Sequence, residues 1–409
     1  MSERYFLGGN MEKSNQLKLN LQYVSMQVPY WMGYSVLGTF TSVFLLSRDF
    51  TNGQIGTVLS LANLVATVVQ PFLASFADRM TRIRLSQLAA GMALLLVLFS
   101  SILLVLPKAF LVIAFIYILL YTCLVLLQPL TIAIGTFFIS RGYALNFGVA
   151  RGLGSLAFAV AAAITGVLIE RFSATIILFL LIGIFLFFAL VTLTIDTRKD
   201  GGKYSESIVP KHLQETHEGE PIGLLEFAKK YKRFMLLLVG VSLLFVFHTI
   251  TNSYMYQIMQ PLGGTEANVG SSLSIAALSE LPTMFFFSWL LRRFKIHSLM
   301  RFAAFFFSVK ALLILFAGNI FLINAGQSLQ MVGFAMHTMA SVYYTNQIIP
   351  QKDLVKGQTL MATANSIGGI IGAFAGGQIL SILSVSAMLL IGTLISITGT
   401  LIVWLSVEK

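Results

Sequence analysis

Gln70-Pro71-Phe72-Leu73-Ala74-Ser75-Phe76-Ala77-Asp78-Arg79-Met80-Thr81-Arg82-Ile83-Arg84 joins two long apolar runs through a turn of a few polar residues. The run before it is long enough to cross a bilayer, and the turn carries Asp78, Arg79, Arg82 and Arg84. Short cationic loops are retained on the cytoplasmic side. The stretch therefore predicts a membrane loop, sets the direction of the second and third spans, and by alternation sets every other span.

Composition agrees. Of 409 residues, 57% are hydrophobic and 11% charged, with a mean hydropathy of +0.85, which excludes a water-soluble surface. The net charge of +11 is read as loop topology and not as a nucleic-acid footprint. The single cysteine, Cys123, lies in an apolar run and excludes a disulfide framework or a thiolate metal cluster. The polar tail through Lys18 is unlike a cleavable signal, so the first span is expected to direct insertion.

A span needs about 20 apolar residues for about 30 Å of hydrocarbon. Twelve segments qualify: Asn20 to Leu46, Gly53 to Ala77, Leu85 to Leu106, Ala109 to Ile139, Tyr143 to Ile169, Ser173 to Ile195, Phe234 to Met259, Val269 to Leu291, Ser298 to Phe316, Ile320 to Ile349, Leu354 to Leu383 and Ser386 to Ser406. With both termini inside, 22 of the 27 basic residues fall in inner segments. Only Arg48, Lys108 and Arg171 fall in outer loops, and Arg151 and Lys310 lie inside spans.

The one long polar stretch, 197–233, divides an amino-terminal bundle (1–196) from a carboxy-terminal bundle (234–409). Leu224 to Phe234 reads as an amphipathic helix on the inner leaflet. His212 and His217, among glutamates, read as solvated linker, and no metal site is expected. The loop from Trp289 to Lys295 echoes the opening stretch in the second half. The expected fold is thus an all-α membrane protein of twelve transmembrane helices in two pseudo-symmetric six-helix bundles, a transporter architecture.

Charges inside spans cost roughly 2.5 kcal/mol or more and mark function by default. Five ionisable candidates occur: Arg151, His248, Glu280, Lys310 and His337. Counted at about 1.5 Å per residue from the nearest inner basic residue, all lie about 15–22 Å deep. Glu280 and Lys310, on consecutive spans at nearly equal depth, are read either as a structural ion pair or as a proton-coupling pair. An apolar wall favours the neutral carboxyl and a nearby cation opposes it. Pro282 is expected to break the helix beside Glu280.

Gln330 and His337, seven apart, share a helical face, as do Arg151 and Phe158. Arg151 beside an aromatic ring suits a hydroxyl-bearing ring such as a sugar or nucleoside. His248 and Asn252, four apart, form a further candidate pair.

Several motifs carry a resemblance. Asp78-Arg79 with Arg82 and Arg84 resembles the helix 2–3 signature of the major facilitator superfamily, with Ala74 in place of its leading glycine, and this implies a conformational gating loop. Gln70-Pro71 and Phe147-Gly148-Val149-Ala150-Arg151-Gly152-Leu153-Gly154 resemble the lactose-permease branch, whose fifth-helix arginine binds substrate. The stacking tryptophan of that branch falls at Phe158. Ser308-Val309-Lys310 resembles its ninth-helix segment, with lysine replacing arginine. The branch's fourth-helix carboxylate has no match, and its tenth-helix carboxylate and histidine align near Gly333 and Gln330. The pattern Glu280-Leu281-Pro282-Thr283-Met284-Phe285-Phe286 is closer to the wider group holding nucleoside and phenylpropionate permeases.

These readings imply a secondary transporter in the cell membrane, expected to be monomeric, coupling a small polar solute to protons with no other cofactor. A proton-coupled carrier of an organic anion such as an aromatic carboxylate is the first alternative. Drug–proton antiport is disfavoured because Arg151 to Glu170 contains no proline. A sensor lacks a signalling domain outside the spans, and an enzyme lacks an acid–base pair at suitable spacing. No Gly-x-x-x-x-Gly-Lys-Ser/Thr motif for ATP binding occurs.

Overall fold

Lipid offers no hydrogen bonds to the backbone, so apolar runs of this length must be helical. The computed structural model is helical along its spans except at Phe40, Tyr254 and Gly333, where the backbone leaves the helix. It describes residues 2–79, 83–107, 109–139, 141, 143, 145–197 and 223–408; side chains of residues 2–15, 78 and 79 are not included. Most of the expected linker, His212 and His217 among it, lies outside the described residues, as does Arg82.

The helices are α1 (Ser2–Ser47), α2 (Asn52–Arg79), α3 (Leu85–Val105), α4 (Phe110–Ile139), α5 (Phe147–Arg171), α6 (Ile176–Leu193), α7 (Leu224–Lys230), α8 (Lys232–Ser253), α9 (Met255–Met259), α10 (Glu266–Arg293), α11 (Ile296–Leu315), α12 (Ile320–Ser328), α13 (Phe334–Ile348), α14 (Gln351–Ile382) and α15 (Val385–Ser406). Among the described residues, ten are single helices long and apolar enough to cross a membrane. The other two expected spans are the later part of α1 and the tenth segment, which is not one helix but two.

That tenth segment breaks at Gly333, whose φ of −89° and ψ of −88° are not helical. A 3-10 turn, Leu329–Met331, precedes the break. A break in lipid must find new partners for the freed backbone groups. The Thr283 hydroxyl of α10 supplies one, donating to the Met331 carbonyl at 2.8 Å. Pro282, in contrast, does not break α10, which runs through it unbroken. The lost backbone bond is tolerated there, as it is at Pro29, Pro71 and Pro129 inside α1, α2 and α4.

The chain forms two compact units. The first comprises Met1–Leu37, Val65–Ala161 and the described part of Thr175–Glu215. Its core includes Tyr23, Tyr30, Tyr117, Phe185 and Phe188, all fully buried.

The second comprises Gly38–Leu64, Ala162–Ala174 and the described part of Thr216–Lys409. Within it the start of α2 packs on α14. A Cβ on Gly377 would stand 2.5 Å from the Asn52 carbonyl and 2.6 Å from the Tyr254 hydroxyl, so only glycine permits this approach. Gln378 donates to the Gly53 carbonyl at 3.0 Å, Gln257 to Asn52 Oδ1 at 3.0 Å, and Tyr254 to the Ala373 carbonyl at 2.6 Å.

At the opposite end of this unit, α7 turns Phe227 into the core and leaves Leu224 and Leu225 exposed. The helix is tied down by the buried Asp353, whose Oδ2 accepts from the Tyr231 hydroxyl at 3.0 Å and lies 3.7 Å from Lys230 Nζ.

Candidate functional site

Each unit holds its own cluster of polar side chains within its helices. In the first unit, the Arg151 guanidinium of α5 lies 3.8 Å from the ring centroid of Trp31 on α1. Arg151 Nη1 donates to Ser155 Oγ, one turn on, at 2.7 Å. Trp31 is held in turn: its Nε1 donates to Gln27 Oε1 at 3.2 Å, Gln27 Nε2 donates to the Tyr23 hydroxyl at 3.0 Å, and that hydroxyl donates to the Thr131 carbonyl at 3.3 Å. Tyr23, Gln27 and Trp31 are four apart, so one face of α1 presents the whole relay. Tyr30 and Tyr34 flank the indole edge-on, with ring centroids 5.2 Å and 5.6 Å away.

Phe158 joins this cluster through its backbone, its carbonyl accepting from Ser35 Oγ at 2.8 Å. The ring against the guanidinium is that of Trp31. Gly154 makes room for it, since a Cβ there would overlap the indole. Arg151 is visible in the sequence as a charge inside a span. The Tyr23–Gln27–Trp31 relay escapes a reading of the sequence, although its four-residue spacing is there to be found.

In the second unit, Lys310 of α11 and Glu280 of α10 are joined through an intermediary. Lys310 Nζ donates to Gln330 Oε1 at 2.5 Å, and Gln330 Nε2 donates to Glu280 Oε1 at 3.3 Å. Lys310 and Gln330 are each 4% exposed. An ammonium so deeply placed needs an acceptor, and the Gln330 amide provides it while its other end holds the carboxylate.

Gln330 sits in the 3-10 turn before the break and His337 in α13 after it, so the seven-residue spacing does not place them on one helical face. His337 belongs to an aromatic box instead, its ring 5.5 Å from Phe245 and 6.0 Å from Phe307. The His248 ring is stacked on Phe334 at 4.6 Å and 3°, with one ring nitrogen 3.0 Å from Asn252 Nδ2. The box thus combines the rings of Phe245, Phe307 and Phe334 with the two imidazoles and the Asn252 amide.

Of the loop residues, Asp78 and Arg79 close α2, with side chains outside the described residues. Arg84 stands 3.4 Å from Asp196 at the end of the sixth span, and its backbone N–H donates to Gln87 Oε1 at 3.0 Å. Among the described residues no three His, Cys, Asp or Glu side chains converge on a metal site. An apolar groove between α1 and α6, lined by Leu17, Leu21, Leu190 and Val191, contains none of the candidate residues.

The described residues hold ten single helices long and apolar enough to cross a membrane, with a further segment broken at Gly333. The chain belongs to the MFS_1 like family, whose pattern matches residues 23–390. Its fold is similar to the crystal structure of the nucleoside transporter NupG. A point-mutant form of that protein superposes with a TM-score of 0.80 at 15% identity, covering 95% of this chain and 100% of that one. A second NupG structure gives 0.77 at 16% identity, covering 96% and 99%. A bacterial homologue of the iron transporter ferroportin, in an inward-facing state, gives 0.68 at 11% identity, covering 96% and 99%. No curated protein matches the chain in sequence. The family and these structural neighbours are transporters and not enzymes.

Proposed function

We propose that the protein imports a small polar solute, a nucleoside or a sugar, together with a proton, by alternating access. The observation that carries the reading is the Lys310–Gln330–Glu280 chain at the broken tenth segment. With Glu280 ionised, its oxygen accepts from Gln330, and Lys310 is held on the other end of the same amide. Protonation of Glu280 removes the charge that strengthens the Gln330 bond and frees the amide to move with Lys310. Because Gln330 lies in the turn next to Gly333, that shift is passed to α13 and to Phe334 and His337 in the aromatic box.

The box and the Arg151–Trp31 cluster support the substrate class. Each supports it by itself: in the first unit Arg151 offers hydrogen-bond donors beside the Trp31 face, and in the second Asn252 and the imidazoles offer hydrogen-bond groups beside flat aromatic walls. The likeness to a nucleoside transporter agrees with this. The organic-anion reading draws on the two mid-depth cations, Arg151 and Lys310, set against the single span carboxylate Glu280. In either reading the carrier works as a monomer in the cell membrane with both termini cytoplasmic. Two six-span bundles, 1–196 and 234–409, are joined by the 197–233 linker, and the Asp78 to Arg84 loop controls their alternation.

Proteoliposomes offered labelled uridine, a disaccharide or phenylpropionate, with and without an inward proton gradient, test the proposal. Uridine or the disaccharide is expected to accumulate only under the gradient. Glu280→Gln is expected to abolish accumulation while leaving exchange of labelled for unlabelled substrate. Unchanged accumulation in that variant would remove Glu280 from coupling. Accumulation of phenylpropionate alone would favour the anion reading.

A further inference from the structure

The turn of α12 that leads to Gln330 holds polar groups which the coupling chain does not use. Gln327 is fully buried, and neither its Oε1 nor its Nε2 has a hydrogen-bond partner among the described residues. Asn324 Oδ1 is likewise buried and unpartnered among them. A buried amide left unmatched at both ends destabilises the protein relative to an apolar side chain of the same size, so packing alone does not account for Gln327.

Backbone geometry lines these groups up. Asn324 and Gln327 are three apart in α12 and therefore neighbours on its surface. The chain then enters the 3-10 turn Leu329–Met331, where Gln330 is again three residues beyond Gln327, itself still in α12. Gln330 thus follows Gln327 on the same side, and beyond it stand Glu280 and Lys310. From the start of α12, the end that the charge pattern assigns to the outer surface, Gln330 is about 15 Å inward.

We infer that Asn324, Gln327 and Gln330 form a water-holding amide file that carries protons between the outer surface and Glu280. An amide both donates and accepts, so each can orient a water molecule toward the next, and a buried water needs two to four such partners. The proton's destination rests on the coupling role proposed above for Glu280, whereas the hydration of the file does not.

The test places single cysteines at Gln327, Asn324 and Val241 in a Cys123→Ser background, in proteoliposomes exposed to a small cationic methanethiosulfonate. Val241 is the control: it is fully buried in the apolar core of the same unit, on α8 and away from the file. Only a thiolate reacts, and a thiolate forms only where water reaches. Gln327→Cys is expected to react at least about tenfold faster than Val241→Cys, and equal rates would overturn the file. Should Gln327→Cys fail to fold, Asn324→Cys against Val241→Cys makes the same comparison. The same measurement in a Glu280→Gln background is expected to give the same rates. A dry file and a failed coupling role are therefore separate results.

Discussion

The two polar clusters solve the same problem, a cation inside a membrane protein, in opposite ways. In the first unit Arg151 rests on an aromatic face and bonds within its own helix, and its support runs along an unbroken stretch of α1 through Gln27 and Tyr23. In the second unit Lys310 donates to an amide borrowed from a turn where the helix has come apart, with Glu280 beyond it. A guanidinium stays charged throughout and its planar fork is pre-organised, whereas an ammonium on a flexible stem readily changes its hold when buried. The first arrangement suits recognition and the second suits movement.

Gln330→Leu should harm the protein most. Removing the partner of a buried charge costs about 3–5 kcal/mol, so thermal unfolding in detergent should fall by far more than for a typical core substitution. Adding Lys310→Met should restore part of the loss, because the unpartnered ammonium is gone while Glu280 still lacks the Gln330 amide. Additive losses in that double variant would show that the two side chains do not depend on each other.

Gly154→Ala tests the first cluster at its base. The new methyl overlaps the Trp31 indole, and overpacking of this kind costs about 1–3 kcal/mol. The displaced indole should change tryptophan fluorescence, to which only Trp289 and Trp404 otherwise contribute. An unchanged spectrum would mean that the ring is not confined between Gly154 and Arg151.

Arg151→Lys is the mildest change. It keeps the charge but loses the planar stack and the fork, worth about 1–2 kcal/mol. Binding of labelled uridine should weaken about tenfold, while stability should change little. Equal affinity would separate Arg151 from the substrate.

Arg151, Glu280 and Lys310 were legible as site candidates because a charge inside a span has no cheap explanation. Trp31 was not, because one tryptophan in an apolar helix carries no such penalty and its role emerges only when α5 brings the guanidinium to it. Gln330 was legible as polar, but its place between Lys310 and Glu280 depends on three different helical segments. Pro282 and Gly333 mislead in opposite senses. The proline is absorbed by a continuous α10, and the glycine, with no special signal around it, marks the break.

From the sequence alone comes the helical membrane fold, since apolar length and the lack of water in lipid leave the backbone only one way to satisfy itself. Tertiary structure alone decided where the tenth span opens and which groups meet there. A backbone can leave the helix inside a membrane only where another element supplies the missing bond, and at Met331 that element is the Thr283 hydroxyl of α10.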